Sequence, residues 1–367
     1  YPWYDITNSK ECTIDRTVSL YGDINFWWIM NDKGNIHTET GADPIGMEIR
    51  AQAFSFASND EINNMTFYNY ELINRGTQTL YNTYFGFFTD GALGDPYDDY
   101  VGCDVNRGLA YYYNGDNYDG DNSGYKGYGY SPPAVGVDFF EGPYQDADEI
   151  DNPLTTNFSD AVDSLGIPYE GIGIGYGDGV IDNERFGMRR FVYYNNSGSN
   201  LNGEPSTPLH YYNYMNGIWL NGQTMSPGGD GTTQSDIQAQ YMFPGDTDPY
   251  NWGTQGVDID YWSEVGEGNP PADRRFIQSA GPFTLEPGDY NNITMGVVWA
   301  RGTNGDPEQS VSLMRQADDK AQALFDNCFE IVSGPDAPDV AIQELENELI
   351  LYLTNENSLS NNFHEEY

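Results

Sequence analysis

Glycine and proline interrupt this chain before any segment can grow long, with 42 Gly and 20 Pro spread over 367 residues. Glycine weakens the interior of helices and strands, and proline removes a backbone donor, so this pattern selects many turns and short strands. Charge narrows the class further. Lys and Arg number 15 against 57 Asp and Glu, a formal net charge of −42. Neutralising phosphates needs clustered Lys and Arg, which excludes nucleic acid as a partner, and docking on an anionic membrane is excluded on the same ground. An acidic chain poor in aromatics stays disordered. Here 15% of residues are Phe, Trp or Tyr, with 30 Tyr and 7 Trp, so the chain folds. It also lacks the stretch of about 18 apolar residues that membrane insertion as a helix requires.

Hydrophobic periodicity places the elements. Residues 18–30 are an apolar run cut at Gly22-Asp23, read as one or two short strands. Met47, Ile49, Ala51 and Ala53 alternate with Glu48, Arg50 and Gln52, the period of a half-buried strand. Aromatic-rich runs at 65–73 and 80–89 flank Asn74-Arg75-Gly76-Thr77 and read as a hairpin, so 47–89 is expected to be an antiparallel meander. Further strands are expected at 107–113, 134–140, 275–279 and 291–300, with a turn at Glu286-Pro287-Gly288-Asp289 and ordered segments at 186–194 and 208–221. Val311, Met314, Ala317, Ala321, Leu324 and Phe325 fall at helical spacing, which predicts one helix over 307–327 with Asp318, Asp319 and Lys320 facing out. The fold class is therefore mainly β: a large antiparallel β-sandwich over 1–333, with loop-rich insertions at 90–184 and 222–271. A linker follows at 334–338, and 340–353 reads as the opening strands of a further β module.

The loops carry the chemistry. Between Asp90 and Asp104 lie five aspartates (Asp90, Asp95, Asp98, Asp99 and Asp104), with glycines that let the backbone bend round a centre. Crowded carboxylates repel, and a hard cation taking six to eight oxygens relieves that repulsion. Calcium tolerates irregular geometry, so Ca2+ is the expected ion. A second cluster, Asn114 to Asp121, offers Asp116, Asn117 and Asp119 and is similar to a D-x-D-x-D calcium loop, without the glutamate at position twelve. A third, Asp178-Gly179-Val180-Ile181-Asp182-Asn183-Glu184, looks like half of such a loop, with Asp178, Asp182 and Glu184 as candidate ligands. For the first two clusters the competing reading is a solvated loop of Asx turns; the third lacks further ligands before Asp178, where only Gly173 and Gly175 stand.

Signals for catalysis are weak. His37, His210 and His364 form no HExxH, and no G-x-S-x-G elbow occurs. Gly173 to Gly177 lacks the lysine of a phosphate loop. Cys12, Cys103 and Cys328 are too far apart for a zinc motif, which leaves one disulfide plus a free thiol, or three thiols. Tyrosine-dense stretches at 111–113, 125–130 and 211–214 suit either the interior of ordered loops or a surface that stacks on sugars, and Tyr128 and Tyr130 are the candidate ligand contacts. With 4 Lys and an excess of Asp, Asn and Tyr, the composition suits a secreted or surface protein. The chain opens on Tyr1-Pro2-Trp3 with no signal peptide and reads as a mature or excised piece of a longer protein.

Several stretches occur together in a particular order: DDYVGCD at 98–104, YNGD at 113–116, PPAVGVDFFEGP at 132–143, DRRFIQSAGPFTLEPGD at 273–289 and AQALFDN at 321–327. The set resembles the large secreted and cell-surface proteins of Bacteroidota that are exported by type IX secretion, over roughly residues 20–353. That resemblance implies an extracellular or outer-surface location, a β-sandwich, and an Ig-like module of which 339–367 is the truncated start. Family members often carry Asp-x-Asp-x-Gly at the first loop, where Ala92 stands in place of one ligand. The functional expectation is a non-enzymatic structural or adhesive protein whose partners are other surface proteins or copies of itself. Two alternatives are a calcium-dependent carbohydrate-binding module with glycan partners, and a secreted hydrolase marked by a deep pocket of converging carboxylates and a histidine.

Overall fold

The structure, a computed structural model, describes residues 20–329, 339–345 and 348–354; Cys12, His364, the linker at 334–338 and the segment 355–367 lie outside the described residues. In chain order its strands are β1 Ile24–Asn31, β2 Met47–Ser55, β3 Met65–Asn74, β4 Leu80–Thr89, β5 Asp99–Asp104, β6 Leu109–Asn114, β7 Tyr118–Asp119, β8 Gly129–Tyr130, β9 Pro133–Glu141, β10 Arg190–Asn195, β11 Arg274–Leu285, β12 Tyr290–Arg301, β13 Asp339–Glu344 and β14 Leu349–Thr354. The helices are α1 Pro208–Met215, α2 Glu264–Glu267 and α3 Pro307–Asp326. Thr207 caps α1 by accepting the His210 amide, and Pro208 occupies the first turn, where its missing N–H leaves no bond unmade.

The chain divides into two compact units, Tyr1–Ala323 and Leu324–Tyr367. The first is an antiparallel sandwich. Its larger sheet runs β1-β2-β3-β12-β9-β6-β5 and its smaller one β10-β11-β4. Inward residues of the two sheets meet: Tyr112 stacks on Phe276 at 4.8 Å between centroids, and Phe85 meets Phe139 edge-on at 5.9 Å. A polar bond crosses between the sheets, where Gln278 Nε2 donates to the Val137 carbonyl at 2.9 Å. The second unit contains the β13–β14 hairpin, in register from Asp339 opposite Thr354 to Glu344 opposite Leu349, at the place expected for a further β module.

The meander expected over 47–89 stops at β3. β2 and β3 pair, but β4 pairs with β11 in the other sheet, so 65–73 and 80–89 are not a hairpin. The aromatic runs face one another across the core instead of lying side by side, with Tyr70 at 5.8 Å from Phe85 and 6.2 Å from Phe87. The chain crosses between sheets twice at the same corner, after β3 and again between β11 and β12. Asn74 ties the two crossings together: its Nδ2 donates to the carbonyls of Gln78 at 2.8 Å and Leu285 at 2.9 Å. Its Oδ1 accepts the Gly76 amide, and its own backbone bonds Asp289 and Gly288.

Helix α3 covers the outer face of the large sheet. Val311, Met314, Ala317 and Ala321 are buried, as their spacing requires. Asp319 and Lys320 face out, but Asp318 does not: it is only 1% exposed, one helical turn beyond Met314 and on the same face. Cys103 is a buried free thiol and Cys328 is disulfide-bonded, which selects the first of the two alternatives for the cysteines.

Candidate functional site

The β5–β6 hairpin sets the geometry of the acidic loops, because Asp99 and Asn114 sit directly opposite each other at its end. Asp95 caps a short helical turn at Pro96–Asp98 by accepting the Tyr97 amide, and Asn122 Nδ2 donates to its other oxygen at 2.9 Å. Asp119, 1% exposed, accepts the amides of Asp95 at 3.0 Å and Tyr128 at 2.7 Å. Gly94 is required here: it is left-handed at φ 76, and a Cβ on it would overlap the Asp119 carboxylate. Asp116 accepts the Tyr118 amide at 2.8 Å, and the Asn117 carbonyl accepts the Ser131 amide at 3.2 Å.

Inside this frame Asp98 Oδ1, Asp99 Oδ1 and Asn114 Oδ1 have no hydrogen-bond partner, and at its edge neither does Ser131 Oγ. Asp99 and Asn114 are 0% and 1% exposed. Burial pushes the Asp99 carboxyl up to about 9, with Asp98, Asp119 and Asp95 adding to the rise and the Leu93 amide opposing it. Burial, then Asp119, Asp95 and Asp116, pushes Asp98 up to about 7. Asp95, Asp98, Asp99, Asp116 and Asp119 therefore share one electrostatic neighbourhood. Asn114 is the member that sequence reasoning left out of the ligand set, although it opens the second acidic cluster. An all-oxygen set suits a hard cation. Among the described residues no three His, Cys, Asp or Glu side chains are grouped to hold a metal ion. Coordination here would draw on the Asn114 amide oxygen, backbone carbonyls and water as well as carboxylates.

The remaining candidates lie elsewhere. Asp90 is exposed and pairs with Arg275 at 3.2 Å. Asp104, at the far end of β5, is held by Arg107 at 2.9 Å and Arg315 at 3.0 Å. In the third loop the carboxylates bind backbone amides. Asp182 accepts those of Asp148 and Glu149, Asp178 accepts that of Val180, and the buried Glu184 accepts that of Asn152. Such bonds order the loop through side-chain to backbone hydrogen bonds, without calling on an ion.

The tyrosine stretches divide. Tyr111, Tyr112, Tyr113 and Tyr214 are buried. Tyr118, Tyr128 and Tyr130 are 60%, 42% and 57% exposed, and Tyr118 pairs with Tyr130 across the β7–β8 ribbon beside the Asp119 loop. Arg301 lies over the Tyr128 ring at 5.7 Å.

A separate cavity of about 290 Å³ is lined by Arg107, Glu141, Glu170, Arg185, Asp318 and Asp319 among others, with no histidine. Burial pushes Glu170 up to about 7, partly offset by Arg189 and by the hydrogen bond from Tyr241. Of the described histidines, His37 bonds the Asp32 carbonyl at 2.7 Å and His210 takes part in capping α1 with Ser206 and Thr207. The Cys103 thiol is pushed well above its usual range, first by burial and then by Asp104, which disfavours the nucleophilic thiolate. A scan against protein-family models and a comparison with curated proteins both find no match for this chain.

Proposed function

We propose that this is a non-enzymatic structural or adhesive protein of the extracellular space or outer cell surface, whose acidic loops are stabilised by calcium. The observation that carries the reading is the trio of buried, partnerless oxygens on Asp98, Asp99 and Asn114, the last two residues being wholly buried. Leaving buried oxygens unpaired costs about 1–3 kcal/mol each, and a cation removes that cost. The resemblance to type IX-exported surface proteins of Bacteroidota supports the location, and a charge of −42 keeps isolated chains apart unless divalent ions are present. The test is a thermal melt of the full chain with 1 mM calcium and with EDTA. Calcium is expected to raise Tm by several degrees through preferential binding to the folded state. An EDTA melt that superimposes on the calcium melt sinks the proposal.

A second reading is a calcium-dependent carbohydrate-binding module. The exposed tyrosines Tyr118, Tyr128 and Tyr130 beside the Asp119 loop favour it, because a flat aromatic face next to an ordered loop suits stacking on a sugar ring. Glycan-array binding that disappears in Tyr130→Ala and in EDTA would favour this reading over the adhesive one.

A further inference from the structure

We propose that Asp138 and Asp318 form a second cation site, independent of the acidic loops, in which a hard divalent ion bridges the outer face of the large sheet and helix α3. The two carboxyls face each other by construction. A Cβ on Gly136 of β9 would run into Met314 Sδ of α3, so these two positions are in contact. Two residues along a strand advance about 6.6 Å, and four along a helix about 6 Å. The step from Gly136 to Asp138 therefore matches the step from Met314 to Asp318. Both carboxyls are 1% exposed.

Neither oxygen of Asp138 nor Oδ1 of Asp318 has a partner at full hydrogen-bond geometry, although the two carboxyls lie close enough to share a proton and the Phe139 amide lies near Asp138. The neighbouring donors are committed elsewhere. The Phe139 amide donates to the Gly108 carbonyl at 3.2 Å. Arg107 binds Asp319 through Nε and Nη2 at 2.8 and 3.2 Å, and Asp104 through Nη1 at 2.9 Å. Arg315 is held by Asp104 at 3.0 Å and Tyr111 at 3.1 Å. Arg107 attracts both carboxyls but is hydrogen-bonded to Asp104 and Asp319. Two buried carboxylates compensated only at a distance are strongly destabilising, so the pair needs a cation or a shared proton.

The surroundings favour a cation. Asp318 and Gly108 line the cavity of about 290 Å³, and Asp138 Oδ1 lies 3.4 Å from where a Cβ on Gly108 would stand. Asp318 thus lines a chamber large enough for several waters at about 30 Å³ each, and Asp138 sits behind its wall at Gly108. Asn106, Asp319 and Gln322 add oxygens to its wall, and no His or Cys lines it. Oxygen donors supplemented by water suit calcium.

The experiment is calcium calorimetry on the EDTA-stripped full chain, comparing wild type, Asp318→Asn and Asp99→Asn, each checked for folding by circular dichroism. Asp318→Asn is expected to lower the stoichiometry by one, and Asp99→Asn to leave that site filled. Unchanged stoichiometry in a folded Asp318→Asn means that the pair holds only a proton and overturns the proposal. A measurement on the unaltered chain decides the matter if the variant does not fold. Crystals soaked in Tb3+ should give an anomalous peak about 2.3–2.6 Å from oxygens of both residues, and an empty position at saturating Tb3+ overturns the proposal. Because Asp99→Asn probes the loop cluster separately, failure of either site is distinguishable from failure of the other.

Discussion

Asn74 holds the corner at which the chain leaves the large sheet and later returns to it, and its side chain bonds Leu285, 211 positions along the chain. Asn74→Ala would strand the Gln78 and Leu285 carbonyls and the Gly76 amide. The expected loss is about 2–4 kcal/mol, read as a lower urea midpoint at constant slope. Asn74→Asp should recover little of it, since a carboxylate cannot donate to the two carbonyls. Cys103 offers a second residue-level test. It is fully buried with Sγ bonding the Met242 carbonyl at 3.3 Å, and its thiolate is disfavoured. A thiol reagent such as DTNB is expected to leave Cys103 unmodified in the native protein and to react as urea unfolds it. Rapid labelling in native buffer would show that the core around β5 opens without global unfolding.

Among the elements, β9 and α3 depend on a missing side chain. Gly136 leaves room for Met314 and Leu109, both of which a Cβ would meet. Gly136→Ala should destabilise by about 1–3 kcal/mol through overpacking. Adding Met314→Ala should make the pair less damaging than the sum of the two single changes, a coupling that a double-mutant cycle reads directly. Strict additivity would mean that the helix does not rest on β9 at this point. Strand identity was legible in the sequence because alternation and Gly or Pro punctuation are local signals, and the runs at 47–53, 134–140 and 291–300 became β2, β9 and β12. Sheet membership was not legible. Period-2 alternation marks a buried face without saying which sheet supplies it, so β4 read as the partner of β3 although it pairs with β11. The same limit hid Asp318: helical spacing marked the apolar stripe, but only the opposing strand reveals that an acidic residue lies within it. At the acidic loops, residues joined by short range were found, as with Asp98 and Asp99. Asp90 and Asp104 are instead held by Arg275 and Arg315, far along the chain.

The whole molecule carries 57 acidic against 15 basic side chains, and its response to ions separates diffuse repulsion from built sites. Monovalent salt screens charges in proportion to ionic strength and relieves only the diffuse part. Burial raises Asp98, Asp318 and Asp99 up to about 7, 8 and 9, so without divalent ions the folded chain binds more protons than the unfolded one above about pH 4. Stability then falls as pH rises: the contribution of these groups is complete below their unfolded values and is lost as pH climbs through 7 to 9. Glu48, held low by its hydrogen bond to Arg75, acts in the opposite sense and loses its contribution on acidification. In EDTA, Tm should therefore decline between mildly acidic pH and pH 9. A cation seated among the same carboxylates replaces the protons and removes that decline. One millimolar calcium should raise Tm by several degrees at pH 8 and by much less at pH 5, where protons compete for the same oxygens. Sodium chloride at matched ionic strength should move Tm by a fraction of that amount. Equal effects of sodium and calcium at pH 8 would mean that the chain needs only screening, and that its carboxylate clusters hold protons rather than ions.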